Sequence, residues 1–337
     1  MKKIRTLTFM ASLSLILGGC QPSDSSQEPT AKDYFPILEN VHYFYEGSGN
    51  EYASYDAYID YTGENKIQWR TNNGGTEAVS VVEVADDKVS EVFFQGETYY
   101  RENFLDSTNK VDILIQGPIA VGTTWDLSEG LSREITNLAV DIETPSGDYQ
   151  ALEITTTSAD YTTVDYYAKN VGLVKTVFTA GGDEISSTLA TIEQNAALTQ
   201  NIAFYFPNIN DDLLYYKTMA VEFSTNDITG AILSGAYKSD VPANTGGVFS
   251  ANTKINSLSM NENGMVYLDL SGEYLSEMNA GAGYESMMLQ CVANTFGGYY
   301  NIDKVLLTID GNLYESGHIA LEDGEYLTVD TTGNVAL

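Results

Sequence analysis

Histidine is the side chain most often used as a general base or metal ligand near neutral pH, and this 337-residue chain has two, His42 and His318. His42 lies inside the β-rich run Val41-His42-Tyr43-Phe44-Tyr45, and His318 follows Glu315-Ser316-Gly317 in a turn. Both read as structural or solvated. A nucleophilic triad needs a histidine beside a nucleophile and an acid, and a zinc site needs several His or Cys ligands. The sequence offers neither, so it predicts no catalytic residue, no metal ligand and no cofactor. Carboxylates are plentiful, and count alone leaves a glycosidase-like pair open. Asp86-Asp87 and Asp211-Asp212 read more simply as solvated loop charges, and no calcium loop of the D-x-[DN]-x-[DN]-G form occurs. Gly181-Gly182-Asp183 and Gly246-Gly247 are turn glycines rather than phosphate loops. Of the two cysteines, Cys20 and Cys291, the second falls in an apolar helical pattern and reads as a buried, inert thiol.

Tyrosine is abundant, with 24 Tyr against 12 Phe and 2 Trp. The segment Tyr43 to Tyr61, with Trp69, could present aromatic rings from a sheet. Tyr55 and Trp69 are then candidates for stacking on a glycan. Cross-strand packing is the simpler use of such residues.

The charge balance is acidic: 16 Lys and Arg against 47 Asp and Glu, a net of −31. Such a surface repels phosphate backbones and anionic headgroups, which argues against nucleic-acid binding.

The chain opens Met1-Lys2-Lys3-Ile4-Arg5, followed by an apolar run from Leu7 to Leu17 and then Leu17-Gly18-Gly19-Cys20. A basic start, a short apolar middle and small residues at the end are the parts of a secretory signal. The run is too short for a spanning helix, which needs about 20 residues. The last four residues resemble the lipobox of bacterial lipoproteins. That resemblance implies cleavage between Gly19 and Cys20, lipid on Cys20, and a place on the outer face of a cell membrane, in a Gram-positive setting. Residues 1–19 are then the signal peptide. Residues 20–32, which lack large apolar side chains, are a tether.

From 33 to 192 the pattern is strand after strand. The runs are Val41–Tyr45, Tyr52–Tyr61, Lys66–Arg70, Glu77–Val84, Val89–Gln95, Glu97–Glu102, Val111–Gln116, Arg133–Val140, Tyr149–Thr157, Thr163–Tyr167, Gly172–Phe178 and Glu184–Ile192. Turn signals separate them, and Gly122 to Trp125 reads as a turn entering another strand. This predicts an all-β domain, whether antiparallel sheet, barrel or sandwich.

Residues 193–200 read as a linker. From 201 to 337 the pattern becomes α+β. Strands are expected at Asn201–Phe206, Met219–Phe223, Lys254–Met260, Met265–Leu270 and Val305–Ile309. One helix is expected behind a Thr225-Asn226-Asp227 cap, with a stripe of Ile228, Ile232, Leu233 and Tyr237. A second is expected over Ala282–Phe296, stopped by Gly297-Gly298. Helices on one face of a small sheet follow from that order.

Several pieces of this region resemble the GerMN domain of sporulation and spore-germination proteins. They are the strand ending Tyr205-Phe206-Pro207, the helix Ile228 to Tyr237, Asn263-Gly264-Met265-Val266-Tyr267-Leu268-Asp269-Leu270-Ser271, and Ile302-Asp303-Lys304-Val305 leading to Ile309-Asp310-Gly311. The resemblance implies a fold similar to ring-building motifs and a role in docking to an envelope protein or to itself. The long Gly-rich loop from Ser239 to Asn252 departs from the family's short Leu-Gly-Pro-like segment, and only one such domain occurs. The expectation is a non-enzymatic, lipid-anchored envelope protein. Binding of cell-wall glycan is the alternative, and an envelope hydrolase comes third.

Overall fold

The computed structural model describes residues 28–127, 130–261 and 263–337. The signal segment, Gly19 and Cys20 lie outside the described residues.

Six strands, β1 (Val41–Ser48), β2 (Tyr55–Thr62), β3 (Lys66–Asn72), β4 (Glu77–Val84), β5 (Lys88–Gly96) and β6 (Asp112–Gln116), form one antiparallel meander. A second consists of β7 (Thr124–Asp126), β8 (Ser132–Thr144), β9 (Gly147–Thr157), β10 (Tyr161–Ala168), β11 (Gly172–Ala180) and β12 (Asp183–Gln194). β1 pairs with β12, Val41 opposite Gln194, so the meanders fuse into one twelve-stranded sheet ending at β6 and β7. Side chains bridge those two ends. Trp125 Nε1 donates to the Ile113 carbonyl at 2.9 Å, and Arg133 reaches Asp112 Oδ1 and that same carbonyl, each at 2.5 Å. The result is a near-barrel.

Period-two alternation places its core. Val41, Tyr43 and Tyr45 of β1 point inward, with Ala57 and Ile59 of β2 and Ile67 of β3. A 3-10 turn, Ala31–Tyr34, enters the same core. The tether is therefore shorter than the sequence suggested: Ala31 is fully buried, and its N–H donates to the Asp86 carbonyl at 2.9 Å.

One expected strand is missing. Glu97–Glu102 is β-rich in composition but pairs with no strand. Its carbonyls are consumed by side chains: Thr98 O and Tyr100 O accept from Arg70, and Glu102 O accepts from Gln68 Nε2.

The segment read as a linker is mostly strand. β12 runs to Gln194, and β13 (Leu198–Asn208) begins after only three intervening residues, then pairs with β14 (Leu213–Phe223). The chain continues as α1 (Thr229–Ser239), β15 (Ile255–Met260), β16 (Val266–Leu270), the single turn α2 (Glu273–Ser276), α3 (Ala282–Tyr300) and β17 (Lys304–Ile309). Short pieces β18 (Asn312–Leu313), β19 (Leu327–Thr328) and β20 (Val335–Ala336) finish it. The strands form two sheets rather than one: β13-β14-β20, and β15-β16-β17 with β18 and β19 on β17. α3 packs against β13 and also against β16, β17 and β19. The shared core centres on Tyr237, whose ring meets Phe204, Phe206, Phe249 and Phe296 at 5.0–6.2 Å. Phe249 comes from the long Gly-rich loop, so that loop supplies core as well as connection.

Two helix ends differ from expectation. α1 has no side-chain cap, and Ile228 is 73% exposed instead of joining the buried stripe. The expected cap residues are engaged elsewhere, as described below. α3 runs through Gly297-Gly298 to Tyr300 and ends at Asn301 in the left-handed conformation. Gly297 is needed for close approach: a Cβ there would sit 2.3 Å from Val329 Cγ2 and 2.7 Å from Ile302 O.

Candidate functional site

The joint between the two domains gathers the most buried charge. β2 carries a bulge between Ile59 and Tyr61, which leaves Asp60 without a ladder partner on β3. A bulge re-aims the extra residue and frees its backbone groups. Here the freed Asp60 carbonyl accepts from Arg101 Nη2 at 2.6 Å and from the Asn226 N–H at 3.0 Å. The Asp60 carboxylate, fully buried, lies 3.0 Å from Arg70 Nη2 and 3.5 Å from Arg101 Nε. Both arginine side chains are 1% exposed. Burial works against the Arg70 charge, but Asp60 and Glu77 outweigh it and raise its pKa above the ordinary value.

Arg101 crosses to the second domain. Its Nη1 donates to Asp227 O at 2.6 Å and its Nη2 to Ser224 O at 2.8 Å, while its guanidinium lies over the rings of Tyr61 and Phe223. The turn Ser224–Asp227 answers in kind. Thr225 N donates to Asn40 Oδ1 and Asn40 N to Thr225 Oγ1, both at 2.8 Å, and Thr62 N donates to Asn226 Oδ1 at 2.9 Å. This is why Thr225 and Asn226 do not cap α1. These contacts, several of them buried and charge-assisted, fix the two domains as one unit, although Asp60 Oδ1 and Arg70 Nε are buried without a hydrogen-bond partner.

Three open cavities flank the joint: one, about 370 Å³, lies beside Tyr61, Arg101 and Asn226, and two more adjoin β13. Of these two, one, about 430 Å³, is lined by Asp56, Tyr58, Asn72, Glu77, Tyr99 and Gln200. The other, about 380 Å³, shares Tyr99 and Gln200 and continues along β13 to Asn294 and Tyr299 of α3. Gln200 stands between them, donating to Tyr99 O at 3.0 Å and accepting from the Tyr299 hydroxyl at 3.1 Å.

The residues singled out from sequence fall in separate places. His42 stacks on Tyr58 with centroids 4.2 Å apart, and its ring nitrogens meet Asp56 Oδ1 at 2.6 Å and Glu193 Oε2 at 3.1 Å. Among the described residues, the ring's hydrogen-bond partners are these two carboxylates. His318 is exposed in a turn. Tyr55 stacks on Tyr45 at 4.4 Å, and Trp69 meets Phe35 edge-on at 5.7 Å. Both pack against the near-barrel core rather than forming one exposed platform. Asp211 ties the β13–β14 turn, accepting from the Tyr215 hydroxyl and the Leu213 N–H. Asp86 pairs with Lys32, and the Asp87 carbonyl accepts from Gly117. Cys291 is a free, buried thiol whose pKa burial pushes up. Among the described residues, no group of three or more His, Cys, Asp or Glu side chains could hold a metal ion, and no helix is long and apolar enough to cross a membrane.

Sequence reasoning missed Asp60, Arg70 and Arg101. Arg70 alternates correctly on β3, and nothing local marks the bulge. The one available hint was an arginine at 70 and another at 101 in a chain so poor in cations.

The Asp269-Leu270-Ser271 segment is a structural knot. Asp269 Oδ1 accepts from Thr308 Oγ1 at 2.6 Å and Gly311 N at 2.8 Å, and its Oδ2 accepts from Asn256 Nδ2 at 2.9 Å. Burial raises its pKa, but these three donors outweigh burial and hold it below the ordinary value. Ser271 Oγ accepts from Lys254 N at 3.0 Å, closing β15 against β16. The family model described as "Germane: Sporulation and spore germination" matches residues 203–315. The C-terminal domain is GerMN-like. Its signature carboxylate, in this chain, fastens three strands and touches no cavity described above.

No curated protein matches the chain. Among solved structures, tandem GerMN domains of the sporulation protein GerM from Bacillus subtilis are similar at 18% identity, over 38% of this chain and 46% of that one, with a TM-score of 0.30. A Bacteroides fragilis protein described as exported, with a YmcC-like fold, is similar at 13% identity over 48% of this chain and 99% of that one, with a TM-score of 0.32. A Clostridium perfringens protein described as a lipoprotein is similar at 16% identity over 39% of this chain and 87% of that one, with a TM-score of 0.24.

Proposed function

We propose that this chain is a lipid-anchored extracytoplasmic protein, linked to sporulation or germination, whose GerMN-like domain docks an envelope protein without catalysis. The observation that carries the docking reading is the GerMN-like match over 203–315. The Asp269 carboxylate is consistent with it, because three donors, Thr308, Gly311 and Asn256, hold it as a structural acceptor between strands. The anchor rests on Leu17-Gly18-Gly19-Cys20. Two acyl chains on Cys20 would bury many methylenes at about 0.8 kcal/mol each, enough for stable attachment.

The near-barrel then works as a rigid spacer. It is welded to the GerMN-like domain through Arg101 and the Asn40–Thr225 pair, so a partner docked on the second domain is held at fixed geometry to the first. Cross-linking in intact cells tests this. The full chain should be captured with a defined envelope protein, from the membrane fraction. Cys20→Ala should release the protein from that fraction and lower the yield of the cross-link. A chain that cross-links to nothing in producing cells, or one whose membrane attachment survives Cys20→Ala, would contradict the corresponding half of the proposal.

A further inference from the structure

β13 is an edge strand: β14 lies on one side and, among the described residues, no strand on the other. Which of its backbone groups face outward follows from three bonds. Tyr205 N donates to Thr295 Oγ1, Pro207 O accepts from Gly246 N, and opposite Tyr205 the Tyr216 carbonyl accepts from Leu337 N. Odd-numbered residues of β13 therefore turn their N–H and C=O away from β14, in the alternation of an antiparallel ladder. Tyr205 and Pro207 are satisfied. The outward groups of Asn201 and Ala203 have no partner among the described residues, and these two residues line the 380 Å³ cavity in front of α3.

At two other edges a side chain takes an outward backbone group. Trp125 and Arg133 take the Ile113 carbonyl of β6, and Glu102 accepts from Met260 N on the outer edge of β15. An uncovered edge is a template for another strand, and folded proteins normally blunt it. Here the edge is framed instead by Tyr99 and Tyr299, with the 430 Å³ cavity continuing past Gln200 to Asp56, Tyr58 and Glu77.

The charge around this groove chooses the occupant. Asp56 and Glu193 have side chains 44% and 64% exposed, and Glu97 stands beside Tyr99. The cation in the lining, Arg70, is buried and already paired with Asp60 and Glu77. A second copy of a chain with net charge −31 would bring like charge to the same place. We infer that the free edge of β13 at Asn201 and Ala203 takes an extended, basic segment of a partner protein by strand addition. Main-chain bonds to Asn201 and Ala203 supply the pairing and the acidic rim supplies the sign. The inference rests on the docking reading and names the surface and the chemistry of the partner.

The probe is a ten-residue peptide alternating Lys and Val, with a Glu-Val peptide of equal length beside it. Added to the full chain, the Lys-Val peptide should slow amide hydrogen exchange at Asn201 and Ala203, and the Glu-Val peptide should not. Ala203→Pro removes an outward N–H that the β13–β14 ladder does not use, so it should abolish peptide binding while the melting curve stays cooperative. Should that variant fail to fold, Asp56→Asn with Glu193→Gln gives a second reading, an affinity about tenfold weaker at low salt. Peptides that bind equally well, binding that leaves the exchange of Asn201 and Ala203 unchanged, or cross-linking from position 201 to a second copy would each overturn the inference. In cells, a partner captured equally by the parent and Ala203→Pro would overturn strand addition and leave docking standing. Capture of nothing by the parent would remove docking itself.

Discussion

Arg101 donates to the Asp60 carbonyl at 2.6 Å and to the Ser224 carbonyl at 2.8 Å, so one guanidinium holds a bulge of the near-barrel and a turn of the GerMN-like domain together. A planar group with five donors suits this position, since it answers several carbonyls and a carboxylate at once. Arg101→Met is expected to leave the Asp60 carboxylate short of a counter-charge, to take a donor from three carbonyls and to leave that of Asp227 without one. A loss of about 3–5 kcal/mol should appear in urea unfolding. A loss below 1 kcal/mol would mean that the joint is not fastened there.

Asp269 makes an acid-sensitive contribution. Its folded-state pKa lies below the ordinary 3.8, so the stabilisation is complete above that value and is lost as pH falls through the folded pKa. Asp269→Asn should flatten the fall in stability below pH about 4. The same slope in parent and variant, followed by chemical denaturation across that range, would exclude the assignment.

Neighbouring glycines in α3 should respond in opposite directions. Gly297→Ala forces a Cβ against Val329 and the Ile302 carbonyl and should cost about 1–3 kcal/mol. Gly298→Ala meets nothing within 4 Å and gains helix propensity, so it should stabilise by up to about 1 kcal/mol. Thermal melting of the two variants side by side is sufficient.

The seam of the near-barrel rests on the Trp125 indole. Trp125→Phe keeps the ring and removes the donor to Ile113 O, with an expected loss of about 1 kcal/mol. Amide exchange should quicken first in β6 and β7, because these strands end the sheet. Uniform quickening through all twelve strands would argue against a local seam.

Much of this fold is legible in the sequence, for physical reasons that also mark where legibility stops. Strands such as Glu77–Val84 declare themselves because alternation and turn glycines are local signals. Ala282 onward reads as a helix for the same reason. Glu97–Glu102 has strand composition yet is claimed by Arg70 and Gln68 from β3, and composition carries no trace of that long-range competition. Thr225-Asn226-Asp227 has the residue types of a helix cap, but the partners that win are Asn40 and Thr62, more than 160 positions earlier. Gly297 looks like a stop because glycine often ends helices. Here it permits close packing against Val329. Tyr55 and Trp69 show that aromatic content alone does not distinguish a ring that packs from one that waits for a ligand.

The pairing of Val41 with Gln194 has a mechanical consequence. β1 begins and β12 ends at the same end of one antiparallel ladder, and ahead of β1 the chain is already fixed in the core through Ala31–Tyr34. Tension between the leading segment and the GerMN-like domain would load the Ala31–Asp86 and Asp33–Asn170 bonds and, once these gave, peel β1 from β12 one rung at a time, the weakest direction in which to load a sheet. Asn40, Thr225 and Asn226 sit ahead of that ladder and would carry strain before its first rung, so the joint between the domains also serves as a clasp that keeps the near-barrel from unzipping.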